Sequence, residues 1–62
     1  MTFYDVWPSV KTGSVAKRPL DGDFVYIKFE NDVIMKKYDS NPVWIVKNLN
    51  DEDVSVNTWV YA

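Results

Sequence analysis

Apolar residues recur at two different periods along this chain. Near the start, Phe3, Val6, Trp7 and Val10 fall at i, i+3, i+4 and i+7, the stripe of an amphipathic helix. Thr2 is placed to act as its N-cap, and Asp5, three residues on, completes a variant of the capping box at the positive end of the helix dipole. Lys11 lies near the C-terminal end, and Gly13 stands where a left-handed residue would stop the helix. Pro8 conflicts with these signals. At about the sixth helical position it removes an N–H and crowds the carbonyl of Tyr4, costing on the order of 3 kcal/mol in a regular helix. The pattern therefore predicts a short helix that is kinked, or one that starts late, near Val6 or Trp7 with Pro8 in its first turn. It begins no earlier than Tyr4 and ends by Gly13.

After Gly13 the period changes to two. SVAKR, Ser14 to Arg18, reads as a short strand, and PLDGD, Pro19 to Asp23, as a turn in which Gly22 is free to take positive φ. FVYIKF (Phe24 to Phe29) and VIMKKY (Val33 to Tyr38) flank a tight loop centred on Asn31 and Asp32, residue types that tolerate the left-handed region a two-residue hairpin turn demands. In that register Phe29 pairs with Ile34, Ile27 with Lys36 and Val25 with Tyr38 on a mostly apolar core face. The other face carries Phe24, Tyr26, Lys28 and Glu30 opposite Val33, Met35 and Lys37, too many rings for an ordinary solvent face. After a second turn, Asp39 to Pro42, the run Val43 to Lys47 reads as a third strong strand, with Trp44 assigned to the core. Asn50 then caps a helical segment whose first turn holds Asp51, Glu52 and Asp53, and Thr58 to Ala62 forms a last short strand. The order predicts a single α+β domain over residues 1–62. A short N-terminal helix packs on a small antiparallel β-sheet of four to five strands, with a helical turn before the last strand.

Composition narrows what such a domain can do. A chain of 62 residues buries only about 60% of its unfolded surface and sits near the limit for folding alone. It has no Cys to form a disulfide and no His to bind metal or move protons. Oligomerisation or an unusually aromatic core remains as the source of stability. Three Trp, four Tyr and three Phe support either, and a homo-oligomer is expected. Nine acids against seven bases give a formal charge of −2, which argues against a polymeric nucleic acid as partner but leaves room for a small phosphorylated ligand. No apolar run approaches the ~20 residues of a membrane span, so a soluble, cytoplasmic protein without a membrane partner is expected. Without Cys and His, nucleophilic triads and zinc sites have no basis. DEDVS, Asp51 to Ser55, lacks the spacing and the glycine of a calcium loop, and there is no glycine-rich phosphate loop. Neither an enzyme nor a cofactor is expected, and function should be binding.

The spacing F-x-x-[AV]-[LW]-x-x-[LV]-K-x-G-x-x-[VA]-x-R, here Phe3, Val6, Trp7, Val10, Lys11, Gly13, Ala16 and Arg18, resembles the opening of the Thoeris anti-defence protein 2 family of phages. DVSVNTWVY, Asp53 to Tyr61, is similar to that family's closing D-[LI]-L-A-x-D-W-x-[VI]. The resemblance covers both ends, about half the chain. It departs from the family at Pro8, at Thr58 in place of an aspartate, in its shorter length, and in lacking a tryptophan a few residues after Arg18. The resemblance implies an oligomeric sponge, commonly a tetramer. It would sequester a cyclic nucleotide immune signal of the glycocyclic ADP-ribose type, or a cyclic oligonucleotide, between protomers and leave it uncleaved.

Adenine would then stack on aromatic rings and phosphates would meet polar and basic groups. Tyr4, Trp7, Arg18, Phe24, Tyr26, Asn57 and Trp59 are the ligand-binding candidates. Each has a plainer role beside this one: core or interface for Trp7 and Trp59, a surface salt bridge for Arg18. Lys28 and Lys37 have the solvated side of the hairpin as their plainer role. The alternative function is a small SH3-like β module or phage inhibitor that grips a host protein. DGDFVYIKF carries the G-D-x-V-x-I pattern of many such barrels, and Phe24 and Tyr26 would be the contact patch.

Overall fold

A computed structural model describes residues 1–62. The elements run α1 (Phe3–Val10), β1 (Ala16–Leu20), β2 (Asp23–Glu30), β3 (Val33–Tyr38), β4 (Asn41–Val46), α2 (Asp51–Ser55) and β5 (Val60–Tyr61). The five strands make one antiparallel sheet in the order β4-β3-β2-β1-β5. Both helices lie on the same side of it, because the apolar sides of β1 and β2 need cover there. Phe3, Val6 and Val10 of α1 close over Ala16, Val25 and Ile27, and Trp59 completes this fully buried core.

The helix starts one residue earlier than its sequence predicts, at Phe3, and runs through Pro8. The Thr2 hydroxyl accepts from the Asp5 N–H at 3.2 Å while the Asp5 carboxylate accepts from the Thr2 N–H at 2.9 Å, so the whole capping box forms. The proline is tolerated because Tyr4, whose carbonyl loses its donor, is 70% exposed and sits on the side of the helix that faces water. Gly13 follows at φ +121°, a region that favours glycine.

The hairpin register of β2 and β3 is as the alternation predicts, with Phe29 opposite Ile34, Ile27 opposite Lys36 and Val25 opposite Tyr38. Asn31 and Asp32 both adopt left-handed backbone, φ 52° and 63°, matching the right-handed twist of the flanking strands. Pro19 extends β1 instead of starting a turn. The tight connection is Asp21-Gly22, and β1 and β2 pair up to Leu20 and Asp23. Trp44 is corrected as well. It is half-buried on the side of the sheet away from the helices, since β4 is an edge strand on which neither helix packs.

Candidate functional site

Two constellations stand out, one on each side of the sheet. The first is interior. Arg18 of β1 and Lys36 of β3 project from core-face positions toward α2, where Asp53 is wholly buried; the two cations are each 2% exposed. Arg18 Nε and Nη2 donate to Asp53 Oδ1 at 3.0 and 2.8 Å, and Lys36 Nζ donates to Oδ2. The Asn50 N–H also donates to Oδ2, at 2.9 Å, as part of the α2 capping box. Arg18 Nη1 reaches Glu52 at 3.3 Å at the solvent margin. Trp59 donates its indole N–H to the Asp53 carbonyl at 2.7 Å and carries the Arg18 guanidinium over its ring at 5.7 Å. No buried side-chain nitrogen or oxygen lacks a partner. Burial pushes the Asp53 carboxyl up and is the largest single influence. The hydrogen bonds from Lys36, Asn50 and Arg18 and the Lys36 charge together outweigh it, and the group is held below its usual 3.8. A buried cluster of this kind, in which every polar atom has a partner, ties α2 to β1 and β3 and presents almost no surface to a ligand.

The second constellation is open. The side of the sheet away from the helices carries Lys17, Phe24, Tyr26, Lys28, Lys37 and Trp44, all half-buried against one another. Their ammoniums and rings alternate across four strands. Lys17 Nζ stands 4.7 Å from the centre of the Phe24 ring and 6.0 Å from that of Tyr26. Lys37 lies between Tyr26 and Trp44, at 4.9 and 5.2 Å, and Lys28 closes on Trp44 at 4.6 Å. Cation–π contacts of this kind are worth about 0.5–1 kcal/mol each at exposed sites, and they favour the arrangement in which the ammoniums lie over the rings. The Tyr26 hydroxyl donates to Asp39 at 2.6 Å, a hydrogen bond that also raises the phenol's pKa and keeps it a donor. Glu30, paired with Lys28 at 3.4 Å, and Asp39, at the Tyr26 hydroxyl, oppose the three lysines on this side.

The seven candidates of the sequence therefore divide. Phe24 and Tyr26 lie on the open face. Arg18 and Trp59 are interior, and neither presents a surface to a ligand; the buried Asp53 carboxylate claims the guanidinium and the Asp53 carbonyl the indole. Trp7 stacks on Phe3 at 5.5 Å and meets Phe29 edge-on at 5.3 Å, on the helix side. Tyr4 is exposed on α1, and Asn57 is exposed in the loop after α2. The sequence reading missed Lys17 and Trp44 as members of the open face, though alternation already placed Trp44 opposite Ile45. It placed Lys36 on the core face, as the structure does, but missed the Asp53 carboxylate that pairs with it. A lysine directly across from a core isoleucine needs a carboxylate, and that was the available signal.

The single chain forms no pocket, and no cluster of His, Cys, Asp and Glu is arranged to hold a metal ion. No helix is long and apolar enough to cross a membrane. Comparison with protein-family models, curated proteins and solved structures finds no match for this chain.

Proposed function

We propose that this protein is a non-enzymatic phage anti-defence protein. It sequesters a cyclic nucleotide immune signal, of the glycocyclic ADP-ribose or cyclic oligonucleotide type, between protomers of a homo-oligomer in the host cytoplasm. The lysine–aromatic face carries this reading. A nucleotide is a flat π system joined to phosphate, and the face offers rings spaced between ammoniums in the same alternation. Base stacking on an aromatic contributes about 1–3 kcal/mol per base. Lysine supplies a compact positive charge for phosphate. The ligand site is thereby relocated from Arg18 and Trp59 to Phe24, Tyr26 and Trp44 with Lys17, Lys28 and Lys37. The resemblance at both chain ends supplies the class of ligand, and the open face supplies the contacts.

The alternative, a small β module or phage inhibitor that grips a host protein through Phe24 and Tyr26, would use the same open face; the single open sheet, with β4 and β5 as its edges, speaks only against a closed barrel form of it. The deciding experiment combines particle mass by light scattering with calorimetric titration of cyclic ADP-ribose isomers and cyclic dinucleotides. The complex is then heated and the released species identified by mass. The expected result is saturable heat with one of these ligands and its release intact. A protein that binds none of them is not a sponge, and a ligand released hydrolysed makes it an enzyme.

A further inference from the structure

β4 is a long free edge. It spans six residues, Asn41–Val46, with no charged side chain, and exposes Val43, Ile45 and Val46 at 60%, 45% and 65%. Edge strands of monomers are blunted by shortness, charge or proline. The opposite edge follows that rule, since β5 has two residues. β4 has Pro42 at its second position and a shift in its register with β3 between Lys36 and Tyr38, and apart from these its outer backbone is left to pair. Ile45 lies opposite Lys36 on the helix side and Val46 opposite Met35 on the open side, so the strand is apolar on both of its faces.

We infer that β4 pairs with β4 of a second copy, antiparallel about a two-fold axis, joining two five-stranded sheets into one. Two features select this occupant. The chain's other free edge is too short to cover β4, so a head-to-tail β4–β5 contact would leave most of the strand unpaired. Charge selects the direction. Asp39 precedes β4 and Lys47 follows it, so antiparallel pairing brings Lys47 beside the second copy's Asp39 at both ends, whereas parallel pairing sets like charges side by side. The isologous contact closes on itself and stops at two chains per interface. It also makes the two open faces continuous, with both Trp44 residues and their Lys28 and Lys37 partners nearest the axis. This last point rests on the function proposed above: the doubled face suits a ligand that carries two phosphates and a base at each end. The pairing itself does not depend on that ligand.

The test is the mass of the ligand-free protein by light scattering from micromolar to about a hundred micromolar, beside the double variant Val43→Lys/Val46→Lys. Both positions are exposed, and circular dichroism checks that the variant keeps its fold. Two chains per particle, or a multiple of two, for the native sequence and fewer for the variant is the expected result. A native sequence monomeric throughout, or a folded variant of unchanged mass, overturns the pairing. Should the double variant not fold, Lys47→Glu is expected to weaken association about fivefold by setting two acids together, and Asp39→Lys added to it to restore it. No change in either overturns the arrangement. A two-chain particle that binds no nucleotide leaves the pairing standing and sinks the sponge reading alone.

Discussion

Asp53 joins three elements through one carboxylate, and the consequences of removing it differ sharply from those of removing a partner. Asp53→Ala strands two buried cations, and breaking a buried pair in this way costs about 3–5 kcal/mol. A chain of this size has on the order of 3–5 kcal/mol of core stability to lose, so the variant is expected to be unfolded at room temperature by circular dichroism. Lys36→Met leaves the carboxylate with Arg18 and the Asn50 N–H and replaces an ammonium stem by an apolar one of similar length. Its expected change is within about 1.5 kcal/mol in a urea titration. The sign of the pH effect follows from the depressed Asp53 carboxyl. The unfolded chain takes up its proton first as pH falls, so the stabilisation is complete above 3.8 and disappears as pH drops through the lower folded value. Melting temperature is expected to be flat near neutrality and to fall steeply below about pH 4. Asp5 and Asp23, also depressed by hydrogen bonds from Thr2 and Ser40, act in the same direction.

At the scale of the element, two local conflicts were visible in the sequence and both persist in the fold. Pro8 leaves α1 one hydrogen bond short on its wet side. Pro8→Ala is expected to stabilise by about 2 kcal/mol, the ~3 of an interior proline less the unfolded-state freedom that proline removes. The Asn31-Asp32 turn holds two non-glycine residues at positive φ. Asp32→Gly relieves one of them and is expected to add on the order of 1 kcal/mol. Thermal melts of the two variants check both. Helix α1, its capping box, the β2–β3 register and the α2 cap were legible because each depends on residues within about ten positions of one another. The start of α1 was misplaced because local propensity counts a proline in full, without knowing that the orphaned Tyr4 carbonyl faces water.

For the molecule as a whole, net charge conceals a separation of charge. The acids of α2 and the α1 cap lie on the helix side, while Lys17, Lys28 and Lys37 share the open side with three rings and two acids, Glu30 and Asp39. A formal charge of −2 therefore coexists with a face on which three lysines stand against two acids. On the proposed function, Trp44→Ala is expected to weaken nucleotide binding at least about fivefold, from one lost stacking contact. Its melting temperature should change little, because the side chain lies outside the core. Lys37→Gln is expected to weaken binding and to reduce its salt dependence, since one phosphate contact is lost. Calorimetry at two salt concentrations reads both.

What the sequence determined by itself is the set of elements and the two faces of the hairpin, since period and turn chemistry are local properties of the chain. Only the tertiary structure decided which face the helices cover, and with it the roles of the long polar side chains. Whether Arg18 and Lys36 are ligands or struts depends on Asp53, seventeen or more residues away and brought to them by packing. Whether Trp44 is core depends on whether a helix reaches β4, and none does.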